Sequence, residues 1–175
     1  MHEVGQVPDA NEVADRLAIM EVVATYSRGM DRASEDILKN CYWPEAEVDY
    51  GAYKGAANNL CERLPDAMKR YENTQHMVSN TLIEISGASA RVESYLTAYH
   101  YLAQKDEPDM EMTYISRYLD RMEKRGEVWK IAFRKVVITW HQNAQGSQDE
   151  ERNPSLATIE RAKRYPDDPW FSFNM

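Results

Sequence analysis

The chain has 175 residues, of which 43% are apolar, enough for one substantial core and too few to expect a second independent domain. Its 21 basic and 29 acidic residues leave a formal charge of −8, which argues against nucleic acid and anionic membrane surfaces, since both call for clustered Lys and Arg. Only two cysteines occur, Cys41 and Cys61, in no metal-ligating spacing and too few to staple a scaffold; they read as small core hydrophobes in a reducing compartment.

No apolar run approaches the roughly 18 residues that a membrane helix requires, and the opening MHEVGQVPDANEV is neither basic nor apolar. A soluble, cytoplasmic protein is expected.

Asp9 followed by Glu12 is a capping-box pattern, and Val13, Leu17, Met20 and Ala24 recur at helical steps, predicting a first helix to about Met30. Ser34 caps a short second helix with Glu35 and Asp36 in its first turn, bounded by Pro44. Asp31 therefore falls at the junction of two helices. Residues 46–50 alternate as a strand. Tyr53-Lys54-Gly55 turns the chain into a third helix with the stripe Leu60 or Cys61, Leu64, Met68 and Tyr71, where Pro65 predicts a kink or early break.

From Gln75 the period changes to 2, predicting strands at about 75–85, 90–103, 111–123 and 127–140, with hairpin turns at Ser86-Gly87 and Arg125-Gly126. Helices first and long strands later describe an α+β fold in which a curled, mostly antiparallel sheet packs on the N-terminal helices. Residues 142–151 read as a loop and 154–164 as a short helix, before an aromatic end at Trp170, Phe171 and Phe173.

Three of the four histidines, His76, His100 and His141, fall on these strands. By alternation His76, Val78, Asn80 and Leu82 share one face, so a titratable ring and an amide point the same way as apolar residues. On the next strand Val92, Ser94, Leu96, Ala98 and His100 share a face of mostly small groups, leaving room beneath the sheet. The last strand places Val128, Ala132, Arg134, Val136, Ile138 and Trp140 together, and a guanidinium in such a row must find a carboxylate, carbonyls or a substrate oxygen. Eleven tyrosines against three phenylalanines offer phenols to an oxygenated ligand, Tyr50 and Tyr53 among them. No His-x-His or HExxH spacing supports a metal.

The stretch from Asp15 to Asp31 resembles the opening helix of SnoaL-like proteins, of the nuclear transport factor 2-like superfamily, a helix that ends in an aspartate. WPEAEVDYGAYKG at Trp43 to Gly55, TQHMVSN at Thr74 to Asn80 and EVWKIAFRKVVITW at Glu127 to Trp140 follow in matching order, so the resemblance spans about residues 12–141. It implies a SnoaL-like cone over residues 1–141; residues 142–175 lie beyond the resemblance as a C-terminal extension, whose aromatic end is expected to pack on the cone or on a neighbouring subunit.

Among such proteins the chain is similar to scytalone dehydratase and hexachlorocyclohexane dehydrochlorinase, in which an aspartate and a histidine form a proton-abstracting dyad. Asp31 and His76 occupy the matching positions. Tyr50 looks like the dehydratase tyrosine that polarises a substrate carbonyl through water, Arg134 matches a pocket arginine of the dehydrochlorinase, and His100 lies two residues from the dehydratase's second histidine. The resemblance implies a lyase without metal or redox cofactor, acting by dehydration or by C–C cleavage such as deformylation on a small aromatic or polycyclic hydroxylated substrate. Asp31 and His76 are its catalytic pair, with Tyr50, Tyr53, Asn80, His100 and Arg134 contacting substrate. A homo-oligomer, trimer or dimer, is expected. The alternatives are a ketosteroid-type isomerase, a non-catalytic ligand-binding module, or the structural small subunit of a ring-hydroxylating dioxygenase.

Overall fold

The computed structural model describes residues 5–146 and 154–173. Helix α1 (Ala10–Asp31) begins where the Asp9 side chain accepts the Glu12 amide at 2.8 Å, as the capping pattern requires. Its buried face carries Ile19, Val23, Tyr26 and Met30, not the Val13, Leu17, Met20 and Ala24 stripe read from the sequence; Leu17 is 62% exposed. Both stripes satisfy helical spacing, and the sheet selects the one holding the larger aromatic group. Gly29 lets α1 approach α2 (Glu35–Asn40) closely, because a Cβ there would lie 2.9 Å from Leu38, which is fully buried.

α2 ends at Asn40, before Pro44, and Pro44 lies inside strand β1 (Tyr42–Asp49), which starts four residues earlier than its alternation suggested. A short strand, β2 (Lys54–Ala56), leads into α3 (Ala57–Lys69), where Leu60, Cys61, Leu64 and Met68 are buried as read. The helix continues through Pro65 without the expected early break.

Four long strands follow: β3 (Asn73–Ser86), β4 (Ser89–Leu102), β5 (Met110–Arg125) and β6 (Val128–Gln145). Gly87 and Gly126, with φ of 59° and 61°, turn the first and last hairpins at the expected places. The open, mixed sheet has the order β2-β1-β6-β5-β4-β3, antiparallel except where β1 runs parallel to β6. Helices at the N-terminus packed on such a sheet make this an α+β fold of the nuclear transport factor 2-like kind.

Three irregularities re-aim side chains relative to simple alternation. On β3 the register shifts between Ser79 and Leu82, and Asn80 has a φ of 44°; beyond it Ile83 and Ile85 turn inward while Asn80 and Leu82 are exposed. On β6 one residue is inserted opposite Arg121/Met122 and another opposite Ile115/Ser116, so Trp129 and Ile131 face the core instead of Val128, and Trp140 faces outward. β6 also runs to Gln145, past the expected loop start at Gln142, because residues 142–145 pair with Met110 to Thr113 of β5.

The expected helix at 154–164 is only a single 3₁₀ turn, Pro154–Thr158. Leu156 and Ile159 remain 44% and 61% exposed, so no apolar face is buried to stabilise a longer helix. No helix is long and apolar enough to cross a membrane among the described residues.

Candidate functional site: an aspartate and a histidine under an aromatic row

Asp31 is the last residue of α1, where a carboxylate meets the unfavourable end of the helix dipole and needs local donors. β3 supplies them. It is the edge strand, so the outward N–H of His76 is not needed by the ladder and donates to Asp31 Oδ2 at 3.0 Å. The Thr74 hydroxyl donates to Oδ1 at 3.1 Å, and His76 Nδ1 lies 2.7 Å from the same oxygen. The His76 side chain is 4% exposed and that of Asp31 12%. With Nδ1 engaged, Nε2 is the ring nitrogen left to exchange a proton with a ligand.

Sheet pairing sets the surroundings. His76 shares an inward row with Ala98, Tyr114 and His141; Thr74 shares the next with His100, Met112 and Asn143. The His100 ring meets His76 edge-on at 5.3 Å between centroids, lies 4.6 Å from Tyr71 and 5.3 Å from Tyr114, and Tyr114 stacks on His141 at 6.1 Å. Burial first, and the neighbouring His76 second, lower the His100 pKa to about 4, keeping this imidazole neutral. Its Nδ1 has no protein hydrogen-bond partner among the described residues.

Beside the dyad, the inward face over β5 and the far half of β6 carries half-buried and exposed side chains among the described residues. Tyr114 and Met112 are half-buried, Ile138 is 56% exposed, and His141 and Asn143 are exposed. An apolar and aromatic shelf therefore leads from the Asp31–His76 pair to solvent.

Deeper in, Arg134 is completely buried and makes a bidentate pair with Asp120, both contacts 2.7 Å. Its guanidinium is sandwiched between Tyr26 and Tyr118, 4.2 and 3.9 Å from the ring centroids. Of the partners the sequence allowed this arginine, the carboxylate is the one it found. The Tyr50 hydroxyl lies 2.6 Å from that of Tyr26, and burial raises the pKa of both phenols.

The structure thus brings Asp31, His76 and His100 together and sets Tyr50 and Arg134 in a tyrosine-rich layer deeper in the core. It does not bring in Tyr53 and Asn80. The Tyr53 hydroxyl donates to the Ala56 carbonyl at 2.9 Å and its ring carries Arg63, so it serves the β1–β2 turn. Asn80 sits exposed on the β3 bulge, off the face of His76. Thr74, Tyr114, Tyr26 and Arg164 were missed. Tyr114 and Thr74 could have been found by pairing strands in register, whereas nothing in the sequence links Arg164 to Asp31. Among the described residues no group of three or more His, Cys, Asp or Glu side chains is arranged to hold a metal ion.

Comparison with known proteins places the chain in a family. A model of the SnoaL-like domain matches residues 11–135. Uncharacterised proteins of Mycobacterium bovis and Mycobacterium tuberculosis are 29% identical over 86 residues, covering 46% of this chain and 58% of theirs. Among solved structures, a proposed scytalone dehydratase of Novosphingobium aromaticivorans superposes with a TM-score of 0.67 at 22% identity, over 78% of this chain and 91% of its own. A type 2 hexachlorocyclohexane dehydrochlorinase gives 0.71 at 19% identity, over 81% and 97%, and the type 3 enzyme of Novosphingobium barchaimii 0.70 at 18%, over 81% and 98%. At these identities the likeness to solved structures is one of fold, while the domain match covers most of the sequence: the chain belongs to the SnoaL-like domain family.

Proposed function

We propose that this protein is a lyase needing no metal or redox cofactor, in which His76 abstracts a substrate proton and Asp31 holds and balances the imidazole. The observation that carries this reading is the 2.7 Å contact between His76 Nδ1 and Asp31 in a nearly sealed setting. A carboxylate there fixes the tautomer with Nδ1–H and a basic Nε2, and it stabilises the imidazolium formed when Nε2 takes a proton.

In an elimination, the electron pair of the broken C–H bond forms the new double bond as a hydroxyl on the next carbon departs. The proton carried by His76 is then available to that hydroxyl, releasing water and restoring the neutral ring. Dehydration and deformylation both draw on this one acid/base pair. The fold-sharing proteins bear the names dehydratase and dehydrochlorinase, both eliminations, which supports the reading.

The shelf of Met112, Tyr114 and Ile138 favours a flat apolar or aromatic substrate, and the neutral His100 can donate to or accept from one of its oxygens. Incubating the protein with aryl alcohols and hydroxy-ketones, followed by mass spectrometry for loss of water or of a one-carbon aldehyde, tests this. His76→Ala should lower turnover on the order of a thousandfold while its circular dichroism spectrum remains that of the folded protein. Turnover retained in His76→Ala rules out the base, and no product from either substrate class favours a binding module.

A further inference from the structure

The C-terminal segment lies outside the matched domain, yet it reaches the dyad. Arg164 sits where the C-terminal ends of α1 and α3 converge. It donates to the carbonyls of Asp31 at 2.5 Å, Met68 at 3.1 Å and Tyr71 at 3.0 Å, and to the Thr74 hydroxyl oxygen at 2.8 Å. Carbonyls at helix ends lack intrahelical partners and lie at the negative end of the dipole, so a guanidinium is the group such a convergence favours.

The segment is fastened independently of Arg164. The Tyr165 amide donates to the Arg32 carbonyl at 2.7 Å, and Asp168, 3% exposed, pairs with Arg32 at 2.9 Å while accepting the amides of Lys163 and Trp170. Trp170 in turn lies under the Arg28 guanidinium. Just upstream, residues 160–162 wall a cleft of about 470 Å³ that Thr74 and His100 border.

The chemistry of the Thr74 hydroxyl links this segment to the catalytic pair. Its oxygen accepts from Arg164, so its single proton is directed to Asp31 Oδ1, the oxygen that also meets His76 Nδ1. We propose that Arg164 is a positioning residue of the dyad, turning the Thr74 hydroxyl into the Asp31 carboxylate and so holding that carboxylate in register with His76. This role rests on the Asp31–His76 reading above, and it makes residues 160–171 a working part of the site, not a covering for it.

The test is ¹⁵N NMR of the histidine rings in the full chain, reading the His76 tautomer and the exchange of its Nδ1–H proton with water. Arg164→Ala and Thr74→Val should each speed that exchange on the order of tenfold, the value of one positioning hydrogen bond. The double variant should add nothing further, since both act through one contact, and His141 should be unmoved. Thr74→Val altering the His76 signal while Arg164→Ala leaves it as in wild type would reduce Arg164 to an anchor, and additive effects would equally overturn the relay. Should Arg164→Ala fail to fold, Arg164→Gln provides the same comparison with smaller loss of volume. Asp31→Ala, which removes the acceptor of the Nδ1–H proton, separates the two ideas: an unchanged His76 tautomer and exchange rate there removes the dyad itself, whereas a changed one beside an unaffected Arg164 variant removes only the positioning role.

Discussion

Asp31 grips His76 twice, taking its backbone amide at 3.0 Å and its ring Nδ1 at 2.7 Å, so the end of helix α1 and the edge of the sheet are joined by the groups proposed to do the chemistry. Fixing main chain and side chain together leaves the imidazole little freedom, which is what a general base aimed at one proton requires.

That double role separates stability from catalysis. Asp31→Ala leaves the His76 amide and the Thr74 hydroxyl without their acceptor and should cost about 1–3 kcal/mol in chemical denaturation. Asp31→Asn keeps an acceptor oxygen and should cost less than half as much, although both variants lack the charge that balances an imidazolium. Equal destabilisation would show that the hydrogen bonds do not hold the junction.

His100 makes stability depend on pH. Its folded pKa of about 4 lies below the roughly 6.5 of an exposed histidine, so between these values the unfolded chain binds a proton that the folded chain does not. The stability present above pH 6.5 is therefore lost as pH falls toward 4. Between pH 7 and pH 5 the loss from this one group should be roughly 2 kcal/mol. Urea titrations of wild type and His100→Gln at the two pH values measure it as the difference in their pH dependence; identical dependence would mean the ring is not held neutral by burial.

Arg134 and Asp120 form a fully buried ion pair between two tyrosine faces. Removing one partner strands the other charge in the core, so Asp120→Ala should destabilise by about 3–5 kcal/mol, whereas the double change Arg134→Met with Asp120→Leu should recover most of that. Thermal or urea unfolding of the three proteins decides it. A single variant as stable as wild type would mean that water reaches the pair and that Arg134 is open to ligands after all.

Much of the fold was legible because its signals are local. The Asp9 and Ser34 caps, the α3 stripe, and Gly87 and Gly126 between alternating runs each specify a feature within a few residues. The buried face of α1 was not, since two stripes met the same periodicity and only the sheet chose between them. Nor was the orientation of Asn80, because period-2 counting fails at an inserted residue and the sequence does not announce the bulge.

For the site, the sequence by itself determined which groups are available: a carboxylate ending a helix, imidazoles at inward strand positions, an arginine in an apolar row, and a patterned resemblance to SnoaL-like proteins that the domain match bears out. Tertiary structure alone decided who meets whom. It set Asp31 against an edge strand 45 residues away and gave Arg134 to Asp120. It also brought Arg164 across 133 positions to the end of α1. Such contacts arise from sheet register and from helix ends needing partners, and those depend on the whole folded chain, while a local window records only propensity and period.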